Sequence, residues 1–474
     1  MIATRHFIDV ATPQGGKRRV HYRRAGAGPP VVLIHQSPRS GAEYDGLIAK
    51  WGRDFTCLAP DTPGFGESAA FDLPVPHVND YADAVLAFMD ALGLSQAGAY
   101  GTHSGAITLI TAAKRAPQRF TAIAANGYAM WTDAERADFG AHYTPAFVPT
   151  PYGEHLTWLW HRIREQSWFF PWYAADDAHR LGGAHDNPAI NHAIVMDVMA
   201  AGTSYAPGYA AMLQAPRDLP ETGAATPPVL ILGRNGDPLQ AHIDRITALP
   251  PGWQVRKLVS DAEVEGAARD WLLAHAVAAM PLPRAPDDQG YIGVPGFGQL
   301  HWLGDRAAGT VVLHAPGGAA ELAARPATLA IDLPGHGLSD AFGEAPTSLD
   351  AYADVLAQGL DRLATAPITR VDGDGASAPI AALLRTRLGI AATPVTGARL
   401  QWPDLAPDFA GSHLMRAWSL ARAEAAFDPW HAPLAATARP LTPAALDPVR
   451  LHRRALAALR ARHMDALHHL LQGD

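Results

Sequence analysis

The chain is almost devoid of cysteine: Cys57 is the only one in 474 residues. An internal disulfide is thereby excluded, and a reducing compartment suits the chain. No apolar run approaches the roughly 20 residues that a bilayer span requires. The opening stretch MIATRHFIDVATPQGGKRRV contains no apolar signal core, so a cytoplasmic protein without membrane contact is expected. Charge is sparse as well, at 18% of residues with a formal net charge of −8. That balance gives no electrostatic reason for a nucleic-acid partner. The 22 histidines form no His-Glu-x-x-His pattern and no paired cysteines accompany them, so no metal is expected. DTPGFG, from Asp61, lacks the strand-to-helix setting of a dinucleotide loop, and no other cofactor motif appears. A small-molecule substrate is the expected partner; the oligomeric state is open.

What is present is a rhythm of buried strands and helices. Hydrophobic residues make up 48% of the chain, enough for well-buried globular domains. PPVVLIH, FTCLAPD, QAGAYG and FTAIAANG read as strands, several of them continuous apolar runs as in sheets covered on both faces. Helical patterns such as VNDYADAVLAFMDALGL lie between them, so the expected class is α/β with a mostly parallel sheet. From about 131 to 223 the rhythm gives way to several helices rich in tryptophan, tyrosine and histidine. It resumes with TPPVLILGRNGDPL and WQVRKLVSD. The proline-bearing stretch PLPRAPDDQG marks a linker over 281–290, separating a domain of residues 1–280 from a second of 291–474.

After the linker the chain echoes itself. VHYRRAGAGPPVVLIH is answered by LHWLGDRAAGTVVLH, and DTPGFGES by DLPGHGLS. HLTWLWHRIREQSWFFPW from His155 is answered by HLMRAWSLARAEAAFDPW from His413. Tryptophan, arginine, phenylalanine, proline and tryptophan recur there at the same offsets. A tandem duplication is expected, with the second copy truncated because nothing in it answers LILGRNGDPL. Contact between the two copies is expected too.

In order and over about 260 residues, the first copy resembles the α/β-hydrolase superfamily. VVLIHQSPRS resembles the third strand with its oxyanion loop, GTHSGA the nucleophile elbow, and GRNGDP the turn carrying the acid. The helices at about 131–223 occupy the place of a cap. An elbow holds its central residue in strained geometry, with small residues two before and two after. Two registers fit: His103 between Gly101 and Gly105, or Ser104 between Thr102 and Ala106. The resemblance implies Asp237 as the acid, and a histidine after the last strand. That turn reads SDAEVEGA and has none. Either His103 itself is the base, acting on water or Ser104, or His155 reaches in from the cap. The resemblance further implies an oxyanion hole from Gln36 and from the N–H of Ser104 or Gly105.

For the pocket, His35 reads either as a wall residue or as a buried histidine satisfied by backbone. His155, Trp158, Trp160, Arg164 and Trp172 are expected in the cap above it, with Trp160 and Arg164 four apart and able to stack. Because the second copy has Gly375 at the place of His103, that half is expected to be non-catalytic. The implied activity is hydrolysis of an ester, lactone or activated carbon–carbon bond in a small, largely apolar or aromatic molecule. A lyase, isomerase or cofactor-free oxygenase using His103 for proton transfer is the alternative. A ligand-binding pseudoenzyme is a third reading.

Overall fold

The computed structural model describes residues 2–216, 219–221, 223–278, 286–391 and 401–472. Residues 281–285 of the expected linker lie outside them. The chain divides into two compact units, one of residues 1–148 and 158–284, the other of 149–157 and 285–474. The expected cap of 131–223 is therefore not wholly in the first unit, since 149–157 group with the second.

The first unit is built on eight strands. They are β1 (Thr4–Ala11), β2 (Lys17–Ala25), β3 (Pro30–Ile34), β4 (Thr56–Pro60), β5 (Ala97–Thr102), β6 (Phe120–Asn126), β7 (Val229–Arg234) and β8 (Trp253–Leu258). Their order is β1-β2-β4-β3-β5-β6-β7-β8. The β1–β2 and β2–β4 pairings are antiparallel, and every later one is parallel. The apolar runs behave as their composition demands: β3 and β4 are buried along their whole length. β8 lies at the sheet edge with much of its length accessible. Leu33, Cys57, Tyr100, Ala124, Leu230 and Leu272 form one core. Reactive groups in such a sheet belong at the carboxyl ends of its parallel strands, where β3, β5 and β7 deliver their loops.

The turn after β4 is organised by a buried carboxylate. Asp61 meets His21 Nδ1 at 2.8 Å and accepts the N–H groups of Gly41 at 2.7 Å and Glu67 at 2.9 Å. Gly66, at φ +52°, leaves no room for a side chain, because a Cβ would come within 2.1 Å of that carboxylate.

The second unit has five strands among its described residues: β9 (Gln289–Val294), β10 (Gly298–Gly304), β11 (Thr310–Leu313), β12 (Leu329–Ile331) and β13 (Arg370–Gly373). Its sheet runs β9-β10-β12-β11-β13, the order in which β1, β2, β4, β3 and β5 lie. Here Asp332 does what Asp61 does, meeting His301 Nδ1 at 2.8 Å and the N–H groups of Ala320 and Leu338 at 2.5 and 2.9 Å. Leu300, Leu313, Ile331, Leu356, Leu384 and Leu467 belong to a core of its own. Among the described residues no helix is long and apolar enough to cross a membrane.

Candidate active site

Between the end of β5 and the Ser104–Arg115 helix the chain turns on His103, at φ +49° and ψ −110°. A side chain in the left-handed region is strained and needs its surroundings to hold it. The flanking glycines explain the register. A Cβ on Gly105 would lie 1.9 Å from the Ile34 carbonyl oxygen, and one on Gly101 would lie 2.6 Å from the Gly105 carbonyl carbon. Strand and helix approach this closely only around an apex at position 103. Ser104 is the first residue of the helix.

The imidazole of His103 places Nε2 2.7 Å from Asp237 Oδ2. Asp237 follows β7 and accepts the Leu239 N–H on its other oxygen at 2.8 Å. The carboxylate side chain is 7% exposed and the imidazole 28%. Burial opposes charge on both groups, yet their mutual attraction and hydrogen bond outweigh it. The histidine pKa is raised above its ordinary value and that of the aspartate is lowered. With Nε2 donating to Asp237, a neutral ring keeps its lone pair on Nδ1. Nδ1 has no hydrogen-bond partner among the described residues.

Ser104 does not complete a serine–histidine pair. Its Oγ accepts the Ser37 N–H at 2.5 Å and donates to Ser37 Oγ at 3.2 Å. The expected oxyanion loop is likewise committed. The Gln36 N–H donates to Glu43 Oε1 at 2.9 Å, and its side-chain amide donates to Oε2 at 3.1 Å. Gln36 therefore does not supply the donor, because the buried Glu43 carboxyl already holds it. That leaves the N–H groups of Ser104 and Gly105, which open the helix with no intrahelical acceptor and sit directly behind the apex.

His103, Ser104, Ser37 and Gln36 border a cavity of about 210 Å³ in the first unit. Its other walls are Ile107, Trp131, Tyr143, Gln166, Phe170, Leu181, Tyr209, Met212, Leu213, Pro238 and Leu239. The surroundings are largely aromatic and aliphatic, as in sites that bury small organic molecules.

The expected pocket residues are elsewhere. His35 is buried beneath the loop, its Nε2 accepting the Thr62 N–H at 2.9 Å and its Nδ1 lying 3.0 Å from the Gln36 carbonyl. It supports the loop and does not line the cavity. His155 belongs to the second unit and bonds His452 at 3.2 Å, and it does not line the cavity. Trp160 is buried in packing. Trp158 faces Phe147 and Trp172, and the Trp172 indole donates to the Tyr143 carbonyl at 3.1 Å; none of the three lines the cavity. Arg164 stacks over Trp168 at 4.6 Å and pairs with Asp186 at 3.1 Å. Sequence reasoning missed Trp131, Tyr143, Gln166, Phe170, Leu181, Tyr209 and Met212. Only their place in the aromatic-rich segment hinted at them.

In the second unit the equivalent bend carries Gly375, at φ +55°. A cavity of about 430 Å³ lies beside it, bordered by His314, Asp374, Ala376, Glu424 and Arg454 among others. The apex there offers no side chain. Among the described residues no group of three His, Cys, Asp or Glu could hold a metal ion.

Residues 29–183 match the family model described as alpha/beta hydrolase fold. The chain is 33% identical over 99 residues to haloalkane dehalogenase 2 of Mycobacterium tuberculosis, a match covering 21% of this chain and 35% of that protein. It is 28% identical over 139 residues to 2-(acetamidomethylene)succinate hydrolase of Mesorhizobium japonicum, covering 29% and 49%. The matches thus span about half or less of these relatives' length. Among solved structures, epoxide hydrolase A from Mycobacterium thermoresistibile aligns with a TM-score of 0.45 at 18% identity, covering 58% of this chain and 100% of that one. The strand order and the matched family model agree: the N-terminal region has the α/β hydrolase fold.

Proposed function

We propose that the chain is a hydrolase of small, largely apolar or aromatic molecules, cleaving an ester, lactone or activated carbon–carbon bond in the cavity over His103. The observation that carries this reading is the 2.7 Å contact between His103 Nε2 and Asp237 at the apex of the elbow. Asp237 fixes the tautomer and balances the charge that forms. Nδ1 then removes a proton from water as the water oxygen bonds to the substrate carbonyl carbon. The oxyanion meets the N–H groups of Ser104 and Gly105, donors worth about 3 kcal/mol each. Collapse of the intermediate breaks the bond to the leaving group, which takes the proton back from the imidazolium. In this scheme Ser104 shapes the loop through Ser37 and forms no covalent intermediate.

The test is solvent labelling with a panel of aryl esters. One atom of solvent oxygen-18 is expected in the acid product, without any acyl-enzyme adduct. His103→Ala is expected to lose about 10²–10⁴-fold in rate, the range for a positioned general base, and Ser104→Ala far less. An adduct on Ser104 would replace this mechanism with a covalent one. A second reading, proton transfer without hydrolysis, is favoured because no hydroxyl among the described residues is paired with the imidazole. Product formed without solvent oxygen would select it. Turnover absent alongside specific binding would select a pseudoenzyme.

The same strand order, the Asp332–His301 pair and the repeated helical motif support reading the second unit as a copy of the first. Gly375 at its apex supports a non-catalytic role for that copy.

A further inference from the structure

Arg162 is the strangest charge in the first unit. It lies on the Glu154–Gln166 helix, is 1% exposed, and its guanidinium sits 5.4–5.8 Å from the centres of the Trp172, Tyr143 and Tyr205 rings. No carboxylate pairs with it among the described residues, and its Nε and Nη2 make no hydrogen bond. Aromatic faces attract a cation, but they do not neutralise one, and a buried charge without a counter-ion is costly. Packing does not require it. In the matching stretch of the second unit, HLMRAWSLARAEAAFDPW, the corresponding place holds Leu420, equally buried at 1%. A helix of this pattern can therefore fill that slot with an apolar side chain.

The cation is connected to the cavity. Its Nη1 donates to Gln166 Oε1, and Gln166 is one turn further along the same helix and lines the cavity, as do Tyr143 and Tyr209. With Arg162 bonded to its oxygen, the Gln166 amide has its N–H donors left for a ligand. Arg162 polarises that amide, so the wall facing His103 presents a donor backed by a full positive charge in a poorly solvated setting, where electrostatic effects are strong.

We propose that this cavity selects substrates carrying an anionic group, such as a carboxylate, bound by the Gln166 amide with Arg162 behind it as the counter-charge. The proposal rests on the cavity over His103 being the substrate site. Gln166 is the binding residue. Arg162 acts through it as a positioning residue and charge source. The neutral aromatic walls take the rest of the molecule.

The test uses the full chain and two probes of the same shape and different charge, benzoate and benzamide, with binding read by calorimetry and by displacement of a fluorescent aromatic ligand. Benzoate is expected to bind at least tenfold more tightly than benzamide. Arg162→Leu and Gln166→Leu are each expected to bring that ratio below threefold, with benzoate losing more affinity than benzamide. A merely structural role would weaken both probes alike. Should Arg162→Leu fail to fold, Gln166→Leu decides, since its side chain is only partly buried. Equal binding of the two probes, no binding of either, or a preference that survives both variants overturns the proposal. Ester turnover is measured separately: a benzoate preference without any hydrolysis sinks the hydrolase reading and leaves the anion site standing.

Discussion

His103 is held between two opposed influences, burial against the charge and Asp237 in favour of it, and the second prevails. In the proposed role of general base His103 works deprotonated, so turnover is expected to rise as pH climbs through the histidine pKa. Because that pKa lies above its ordinary 6.5, the acid limb of the rate profile is expected above pH 6.5. Asp237→Asn removes the stabilising charge and leaves burial in command. The limb then moves below pH 6.5 and the plateau rate falls, which a pH series on both proteins will read. Stability follows the same linkage. The raised histidine pKa contributes fully below the unfolded histidine's pKa, as long as Asp237 stays ionised, and that contribution is lost as pH rises through the folded value. An acid limb unmoved by Asp237→Asn would remove His103 from the role of base.

Elements carry the next level of constraint, and the turn after β4 shows it best. Asp61 holds three segments of chain together, at His21, Gly41 and Glu67. Burial resists its ionisation, but the His21 contact and the donated hydrogen bonds keep its pKa below the ordinary carboxylate range. Its contribution is present above the unfolded pKa and is lost as pH falls toward the folded one. Asp61→Ala removes the acceptor of His21 Nδ1 and of the Gly41 and Glu67 N–H groups, and is expected to cost about 3–5 kcal/mol, measured by urea unfolding at pH 7. A loss below 1 kcal/mol would mean that the turn is held by something else.

The same scale explains what could be read from sequence and what could not. The elbow was legible but its register was not: GTHSGA fits His103 or Ser104 at the centre, and only the structure shows that Gly101 and Gly105 meet backbone where a Cβ would stand. β3 and β4 were legible because both faces of each are covered. The cap was not. Helical spacing puts Trp160 with Arg164 on one face and Arg162 with Gln166 on another, and nothing in the sequence says which face meets the cavity. Nor does any pattern reveal that Glu43, seven residues on, occupies the Gln36 N–H. Such commitments are made by distance in space.

For the whole molecule, two sheets begin in the same strand order, and one of them continues through β6, β7 and β8. Among the described residues the second sheet has no counterpart of β7, the strand that Asp237 follows on its way to His103. The first unit also carries the one cysteine, Cys57, on β4 in its core, where burial pushes the thiol pKa up to about 12. The thiolate is the reactive species, so a folded first unit protects Cys57 twice, by access and by ionisation. Under native conditions an alkylating reagent is therefore expected to label the chain only as fast as that core opens. Raising urea should accelerate labelling along the unfolding curve of the first unit, and Asp61→Ala should accelerate it in water in proportion to its lost stability. Mass spectrometry of the Cys57 peptide reads this directly. Rapid labelling of the native wild type, at the rate of a free thiol, would mean that β4 is not sealed within the sheet, and the packing that supports the His103 elbow would have to be redrawn.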